Sequence, residues 1–229
     1  MGVIAIVVAG GPLELPWAGA PPPIERIIAV DGGLDAALHA GLHPSMLLGD
    51  LDSVSPAALQ WAHDHGLEIV RHPTDKNDTD TALALASVAA SDHLSDIDVV
   101  LLGAATTDRF DHLLGSLAAL GAPELASARS ITAHLGGTTV HVLHPGSHRS
   151  LRLGPGRTLS LLALHGPCTG VGIDGVRWPL RDATLPIAST LGVSNETVLP
   201  TISVTVATGV LTVIVPPTLT RDHAEATPS

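Results

Sequence analysis

The chain of 229 residues is long enough for one large domain or two small ones around a substantial core. Hydrophobic residues make up 45%, but there is one Phe, no Tyr and only three Trp, so Leu, Val, Ile and Ala must build that core. Acidic residues outnumber basic ones 22 to 11, and the formal charge of −11 argues against general nucleic-acid binding. An acidic protein that binds phosphates needs cations, which points to metal ions.

Cysteine content and hydropathy predict the compartment. The single cysteine, Cys168, excludes an internal disulfide and fits a reducing cytoplasm. The apolar start at residues 3–9 has no basic leader and is too short to span a bilayer, and no later segment reaches that length. We therefore expect a cytoplasmic protein without a membrane or nucleic-acid partner.

Residues 1–125 alternate short apolar runs with helical patterns, which predicts an α/β domain with a mostly parallel sheet covered on both faces. The predicted buried strands are residues 3–9, 27–30, 46–48, 68–70 and 97–102. One helix follows Ser55 as its N-cap, with Pro56 at the first helical position. Further helical patterns cover residues 80–90 and 110–120.

From about residue 129 the apolar residues recur with period two and no long helical pattern interrupts them. This rhythm predicts an antiparallel β-sandwich or small barrel over residues 129–216. The predicted strands are residues 138–143, 151–153, 158–164, 202–206 and 210–215. Thr208-Gly209 is expected to form a hairpin turn between the last two. Residues 217–229 are polar and predict a flexible tail.

The residues that follow each predicted strand are the first candidates for a site, because ligands of open α/β sheets collect beyond the carboxyl ends of the strands. Glycines there allow a ligand to approach the backbone, and a helix N-terminus can receive a phosphate. The candidates, in chain order, are Gly10 and Gly11; Asp31, Gly32 and Gly33; the segment GDLDS at residues 49–53; residues 74–80; and residues 108–112.

Two aspartates of the third group predict a magnesium site. Asp50 and Asp52 are two apart in a segment expected to be extended, so their carboxylates should project to the same side. Such close like charges are stabilised by a cation, and Mg²⁺ prefers oxygen ligands that it shares with substrate phosphates. Asp80, in the first turn of its helix, could complete the site. Taken singly, the three are better explained by turns and a helix cap; the cluster at strand ends favours metal.

Two cations lie within these acidic loops. Lys76, the one lysine of the chain, and Arg109 both suit contact with phosphate oxygens. An ion pair between Arg109 and Asp108 or Asp111 is nearly as good an explanation. His112 is a candidate acid, base or phosphate contact, although such a histidine more often makes a hydrogen bond at a helix start.

Two further patterns are poor candidates. Residues 170–175 fit the GxGxxG string of dinucleotide-binding proteins, but they lie in the β-rich half, and Pro179 follows where a helix should begin. His141, His144 and His148 suggest zinc, yet 13 histidines scattered along the chain explain them better.

The ordered set of motifs resembles the thiamine pyrophosphokinase family over residues 3 to about 216. In the first half the resemblance rests on residues 31–33, 49–53, 79–80 and 109–112. In the second half it rests on residues 156–160, on 172–180 ending in Trp-Pro-Leu, on Ser194-Asn195 and on a closing β-hairpin.

The resemblance implies an α/β catalytic domain, a C-terminal β-sandwich and a homodimer with thiamine bound between subunits. It implies transfer of a pyrophosphoryl group from ATP to the thiamine hydroxyl, giving thiamine diphosphate and AMP. Asp50, Asp52 and Asp80 then correspond to the metal and catalytic carboxylates, and Asp31 and Asp111 to further polar residues. The implied thiamine contacts are Trp178, Ser194 and Asn195.

Some features depart from the family pattern, and rival functions remain open. The loop at residues 103–109 is longer and less glycine-rich than in the family, and the acids at 75–80 are more numerous, so Asp75 or Asp78 could share the role of Asp80. A pyrophosphokinase for another hydroxymethyl heterocycle, such as a pterin, would use the same carboxylates. A non-catalytic nucleotide or thiamine sensor would not need to keep all of them.

Overall fold

The protein is described by a computed structural model that covers residues 2–8, 11–17, 22–104, 109–187 and 189–218. Its helices are α1 (Gly33–His39), α2 (Pro56–Asp64), α3 (Asp80–Ala89) and α4 (Phe110–Ala119). Its strands are β1 (Gly2–Val8), β2 (Arg26–Val30), β3 (Met46–Gly49), β4 (Glu68–Arg71), β5 (Ile97–Gly103), β6 (Ser130–Leu135), β7 (Thr138–Leu143), β8 (His148–Arg152), β9 (Thr158–Leu162), β10 (Cys168–Asp174), β11 (Leu180–Leu185), β12 (Asn195–Glu196), β13 (Thr201–Thr205) and β14 (Leu211–Val215).

The strands form one sheet of ten and one of four. The large sheet has the order β12-β9-β14-β7-β6-β5-β1-β2-β3-β4, and the small one β11-β10-β13-β8. In the large sheet, the stretch β6-β5-β1-β2-β3-β4 is parallel and the stretch β12-β9-β14-β7 is antiparallel. The small sheet is antiparallel throughout. The predicted fold class, an α/β half followed by an antiparallel β-sandwich, is therefore confirmed.

Helices cover both faces of the parallel strands because neighbouring strand residues point to opposite sides. In β2, Ile28 packs in the cluster that contains α3, whereas the adjacent Ala29 packs against α1 and α2. The antiparallel half has its own core between the two sheets, with Leu161 from the large sheet and Val204 from the small one fully buried.

Local capping chemistry places the helices where the sequence predicts them. Ser55 Oγ accepts a hydrogen bond from Ala58 N at 3.1 Å, and Pro56 opens α2. Thr79 Oγ1 accepts from Ala82 N at 3.2 Å at the start of α3. Within the described ranges, no helix combines the length and the apolar character needed to cross a membrane.

The structure corrects the prediction for the end of the chain and adds strands that were not predicted. The expected hairpin at Thr208-Gly209 is wrong, because β13 belongs to the small sheet and β14 to the large one. Gly209 has φ 79°, and a Cβ there would lie 2.2 Å from Pro167 O, so this glycine permits a crossover between sheets. Strand β6 was also missed; it pairs in parallel with β5 and makes the large sheet continuous through residue 130. The string at 170–175 lies mostly in β10, with no helix after it, consistent with its rejection as a dinucleotide site.

Candidate active site

A cleft of about 600 Å³ opens at the carboxyl ends of the parallel strands. Val8, Val30 and Ala104, at or just beyond the ends of β1, β2 and β5, form part of its wall. Seven of the predicted site residues line it: Asp31, Asp50, Asp52, Lys76, Asp80, Arg109 and His112. Strand ends that are far apart in sequence are therefore brought together at one edge of the sheet.

Asp31 organises the turn that follows the neighbouring strand β3. Its Oδ1 accepts a hydrogen bond from Leu51 N at 3.0 Å. Gly49 has φ 146°, and a Cβ there would lie only 1.8 Å from Asp31 Oδ1, so a side chain at position 49 would collide with this carboxylate. Burial, together with the nearby carboxylates of Asp80 and Asp50, raises the pKa of Asp31 to about 6, while the hydrogen bond from Leu51 N opposes this rise. The cleft thus holds negative charge that is poorly compensated.

Asp50 and Asp52 lie in a tight turn, so the expectation of an extended segment is wrong. Leu51 has φ 69°, and Asp52 N donates to Asp50 Oδ1 at 3.1 Å. This backbone hydrogen bond lowers the pKa of Asp50. Both aspartates still line the cleft, because the turn, rather than strand alternation, presents them there.

Lys76 and Asp80 form a nearly buried ion pair at the start of α3. Lys76 Nζ lies 2.8 Å from Asp80 Oδ2 and donates to Pro73 O at 3.0 Å. The side chains are 15% and 14% exposed. The hydrogen bond to Asp80 raises the pKa of Lys76, which stays charged among the carboxylates. Asp80 Oδ1 is buried and has no partner among the described residues.

The donor atoms of the cleft are of the type that a hard divalent cation prefers. Five carboxylates line it, and the orphaned Asp80 Oδ1 is an acceptor that a cation would satisfy. In the described part of the chain, no three His, Cys, Asp or Glu side chains converge closely enough to hold a metal ion. Lys76 supplies a positive charge inside this group, so a metal at Asp80 would compete with its ammonium group.

Arg109 is held by Asp111 at the start of α4. Arg109 Nε and one terminal nitrogen donate to the two oxygens of Asp111 at 3.2 and 3.0 Å, and Arg109 also contacts His112 Nε2. Arg109 lowers the pKa of the Asp111 carboxyl to about 2. The ion pair weighed for Arg109 is therefore present, while Arg109 and His112 also line the cleft.

The predicted glycines act behind the cleft or outside the described residues. Gly32 N donates to Ser53 Oγ at 3.1 Å, and a Cβ on Gly33 would lie 2.1 Å from Val7 O, so Gly33 lets α1 approach β1. Gly11 has φ 122° beyond β1, and its contact with a phosphate stays a prediction. Gly10 and residues 105–108 of the long loop lie outside the described ranges.

Several polar residues of the cleft were not predicted as site residues. Ser53, Thr74 and Thr79 line it, as does Asp78, which was considered only as a substitute for Asp80. Each lies inside or next to a predicted motif. Their proximity to the strand ends was the signal that could have identified them.

The second group of predicted residues surrounds an exposed tryptophan. Trp178 is 56% exposed, and its main chain is clasped by the Asn195 side chain: Trp178 N donates to Asn195 Oδ1 at 3.2 Å, and Asn195 Nδ2 donates to Trp178 O at 2.7 Å. Arg177 stacks over the Trp178 ring at 5.5 Å from its centroid and pairs with Glu196. Ser194, with φ 60°, donates from its N to Ser160 Oγ at 3.1 Å.

The tryptophan site and the cleft lie near opposite edges of the large sheet. Asn195 is in β12, the edge strand, whereas the carboxylates follow β2 and β3 and precede α3 near the other edge. Seven strand spacings separate β12 from β2, which corresponds to roughly 30 Å. A single chain therefore does not bring the two groups of residues together.

Comparison with known proteins supports both halves of this description. The family model "Thiamin pyrophosphokinase, catalytic domain" matches residues 24–132, and "Thiamin pyrophosphokinase, vitamin B1 binding domain" matches residues 141–211. Together the two matches span most of the chain. The chain belongs to the thiamine pyrophosphokinase family. Within it, the protein is 25% identical over 212 residues to the thiamine pyrophosphokinase of Bacillus subtilis, covering 91% of this chain and 96% of the relative.

Solved structures of family members share the fold. Thiamine pyrophosphokinase from Bacillus subtilis superposes with a TM-score of 0.75 at 23% identity, covering 95% of this chain and 100% of that one. Thiamin pyrophosphokinase from Candida albicans gives 0.75 at 15% identity, covering 94% and 89%. The arrangement of sheets is thus retained at identities too low to transfer individual residues.

Proposed function

We propose that this protein transfers the pyrophosphoryl group of ATP to the hydroxyl group of thiamine, giving thiamine diphosphate and AMP. The observation that carries the proposal is the acidic cleft at the strand ends of a chain matched by both thiamin pyrophosphokinase family models. Each half of the chain has its own ligands: residues 1–125 bind ATP and Mg²⁺, and residues 129–216 bind thiamine.

In the cleft, Asp50, Asp52 and Asp80 would hold Mg²⁺. A bound Mg²⁺ would supply positive charge opposite the phosphate oxygens of ATP. Lys76 and Arg109 face the same cleft and contact phosphate oxygens, with Asp111 holding the Arg109 fork in place. Asp31 fixes the turn that carries Asp50 and Asp52. These residues bind and position; the transfer needs little covalent chemistry from the protein.

On the thiamine side, Trp178 offers an exposed aromatic face to the cationic thiazolium ring. Ser194 and Asn195 face the pyrimidine, and the clasp between Asn195 and the Trp178 main chain fixes the tryptophan backbone. In the free protein Arg177 covers the Trp178 ring, so thiamine must displace one cation with another.

A homodimer would complete the site. The cleft and Trp178 are roughly 30 Å apart across the sheet, so a second copy has to supply one of them. The segment that flanks Asn195 exposes large apolar side chains that suit a subunit contact. They are Ile187, Leu191, Val193, Val198 and Leu199. A cytoplasmic location fits the one cysteine, which is buried and free.

The decisive experiment is a product assay with purified protein, ATP, Mg²⁺ and thiamine. We expect AMP and thiamine diphosphate in equal amounts, and loss of both products when EDTA removes the metal. ADP in place of AMP would contradict pyrophosphoryl transfer. Turnover of a hydroxymethyl pterin without turnover of thiamine would transfer the assignment to the rival pyrophosphokinase.

A further inference from the structure

A smaller cavity of about 50 Å³ lies where the two halves of the chain join. It is bounded by residues 126–131, which lead into β6, and by residues 142–149, which connect β7 to β8. At the cavity, Asp98 of β5 pairs with Ser130 of β6. Gly103, at the other end of β5, lies five residues further along the strand, where the cleft begins. Five residues of strand span about 17 Å, so the cavity is separate from the proposed active site.

Basic and hydroxyl side chains dominate the polar lining of this cavity, in a chain whose net charge is −11. They are Arg129, Arg149, His144, His148, Ser130 and Ser147. Two of the chain's 11 lysine and arginine residues thus line one small cavity. Such a concentration of charge costs free energy unless an anion or a carboxylate compensates for it.

One carboxylate neutralises one of the two arginines. Arg129 makes a two-pronged ion pair with Asp98, with Nε at 2.8 Å from Oδ1. Arg149 is half-buried and makes one long hydrogen bond, 3.5 Å from a terminal nitrogen to Arg129 O. Among the described residues, no carboxylate lies within 4.0 Å of the Arg149 guanidinium. Most of its five N–H donors are therefore available to an oxyanion.

His144 provides an independent observation. It lines the cavity, is only 5% exposed, and its Nε2 has no hydrogen-bond partner among the described residues. Burial and the nearby His165 lower the pKa of His144, and a hydrogen bond with the Leu120 backbone opposes this shift. An orphaned polar atom in a buried position commonly marks an ordered water or ion.

We propose that this cavity is an anion site that binds one small tetrahedral oxyanion, such as inorganic phosphate, through the free donors of Arg149. Its volume corresponds to that of a few water molecules and excludes a nucleotide. Arg149 belongs to β8 of the small sheet, and Arg129 immediately precedes β6 of the large one. A bound anion bridges the two sheets and stabilises their junction. The site does not depend on the proposed transferase function.

The test is a calorimetric titration of the metal-free protein with inorganic phosphate, at constant ionic strength set with chloride. The variants are Arg149→Met and, as a matched control, Arg152→Met, an exposed arginine on the same strand. Lys76→Met removes a phosphate contact of the cleft. We expect one phosphate site that persists in the Arg152 and Lys76 variants and is weakened at least tenfold in Arg149→Met.

Three results would overturn the proposal: no phosphate binding at millimolar concentrations, unchanged binding in Arg149→Met, or binding that disappears in Lys76→Met. Thermal unfolding adds a second readout, because a ligand of the native state raises the melting temperature. Phosphate should raise the melting temperature of wild type, of Arg152→Met and of Lys76→Met, but not that of Arg149→Met. If Arg149→Met does not fold, Arg149→Lys replaces it in the test. Lysine keeps the positive charge but lacks the planar guanidinium group, so unchanged phosphate affinity in this variant would contradict the proposal.

Discussion

The parallel and antiparallel halves of the protein relate sequence to site in different ways. In the parallel half, every strand ends at the same edge, so Asp31, Asp50 and Asp80 meet although they are far apart in sequence. In the antiparallel half, successive strands end at opposite edges, and Trp178 lies next to Asn195, whose side chain makes two hydrogen bonds with the Trp178 main chain. Position along the chain therefore predicts a site in the first half but not in the second.

The two regions also differ in charge. The cleft crowds carboxylates around a single lysine, and burial raises the pKa of Asp31 there to about 6. The tryptophan site has an aromatic face already covered by Arg177, which in turn pairs with Glu196. We infer that the cleft needs an added cation, whereas the tryptophan site exchanges its own cation for that of the substrate.

The largest expected effect is the loss of turnover in Asp52→Asn. Removing a carboxylate that would hold the Mg²⁺ opposite the developing phosphate charge should lower kcat by about 10²–10³-fold. Because Asp52 is exposed, the free energy of unfolding should hardly change. Kinetic assays and urea unfolding measure the two effects, with the exposed Asp92→Asn as the matched control. Wild-type turnover in Asp52→Asn would refute the assignment of the metal site.

A smaller effect is expected on the thiamine side. Trp178→Ala removes an aromatic face worth about 1–2 kcal/mol to a cation, so the KM for thiamine should rise about tenfold. The KM for ATP should stay constant, because the phosphates of ATP are held by the charged residues of the cleft rather than by Trp178. Trp178→Phe, which keeps an aromatic face, should recover most of the affinity. An equal rise of both KM values would indicate a general structural role.

Mixing Asp52→Asn with Trp178→Ala tests whether the cleft and the tryptophan of one active site come from different chains. If the cleft of one chain works with Trp178 of its partner, half of the random dimers contain one intact site. At thiamine far below KM, exchange of subunits should then raise activity about fivefold over the unmixed average. If each chain contains a whole site, mixing changes nothing. Light scattering before and after exchange confirms that the mass of the particle is constant.

Sequence reasoning located the acidic site because its signal depends on strand ends, and buried strands are readily predicted from apolar runs. It misjudged the geometry of residues 49–53, because the left-handed Leu51 depends on Asp31, a tertiary contact. It did not list β6, although Ile131, Ala133 and Leu135 alternate there with polar residues, and this alternation does not reveal that β6 pairs in parallel with β5. It placed β13 and β14 in one hairpin because period two does not reveal which sheet a strand joins.

The smallest expected effect concerns the pH dependence of stability, through Asp31. Burial raises its pKa from 3.8 to about 6, so the folded protein binds this proton more tightly than the unfolded chain does. The resulting stabilisation is complete below about pH 4 and is lost as the pH rises through about 6. A shift of this size corresponds to at most about 3 kcal/mol, which solvent screening at this half-buried group reduces to about 1–2 kcal/mol.

Asp31→Asn keeps an acceptor for Leu51 N but cannot ionise. The variant should therefore not lose stability as the pH rises from about 4 to above 6. In urea unfolding of metal-free protein, the variant should match wild type near pH 4 and exceed it by about 1–2 kcal/mol near pH 7. Asp111→Asn is the control: because Arg109 lowers the pKa of Asp111 to about 2, the charge at position 111 is constant over this range and no trend should appear. A constant difference in unfolding free energy between Asp31→Asn and wild type at all pH values would mean that Asp31 is ionised throughout. The cleft would then not concentrate uncompensated negative charge, and this contrast with the tryptophan site would be wrong.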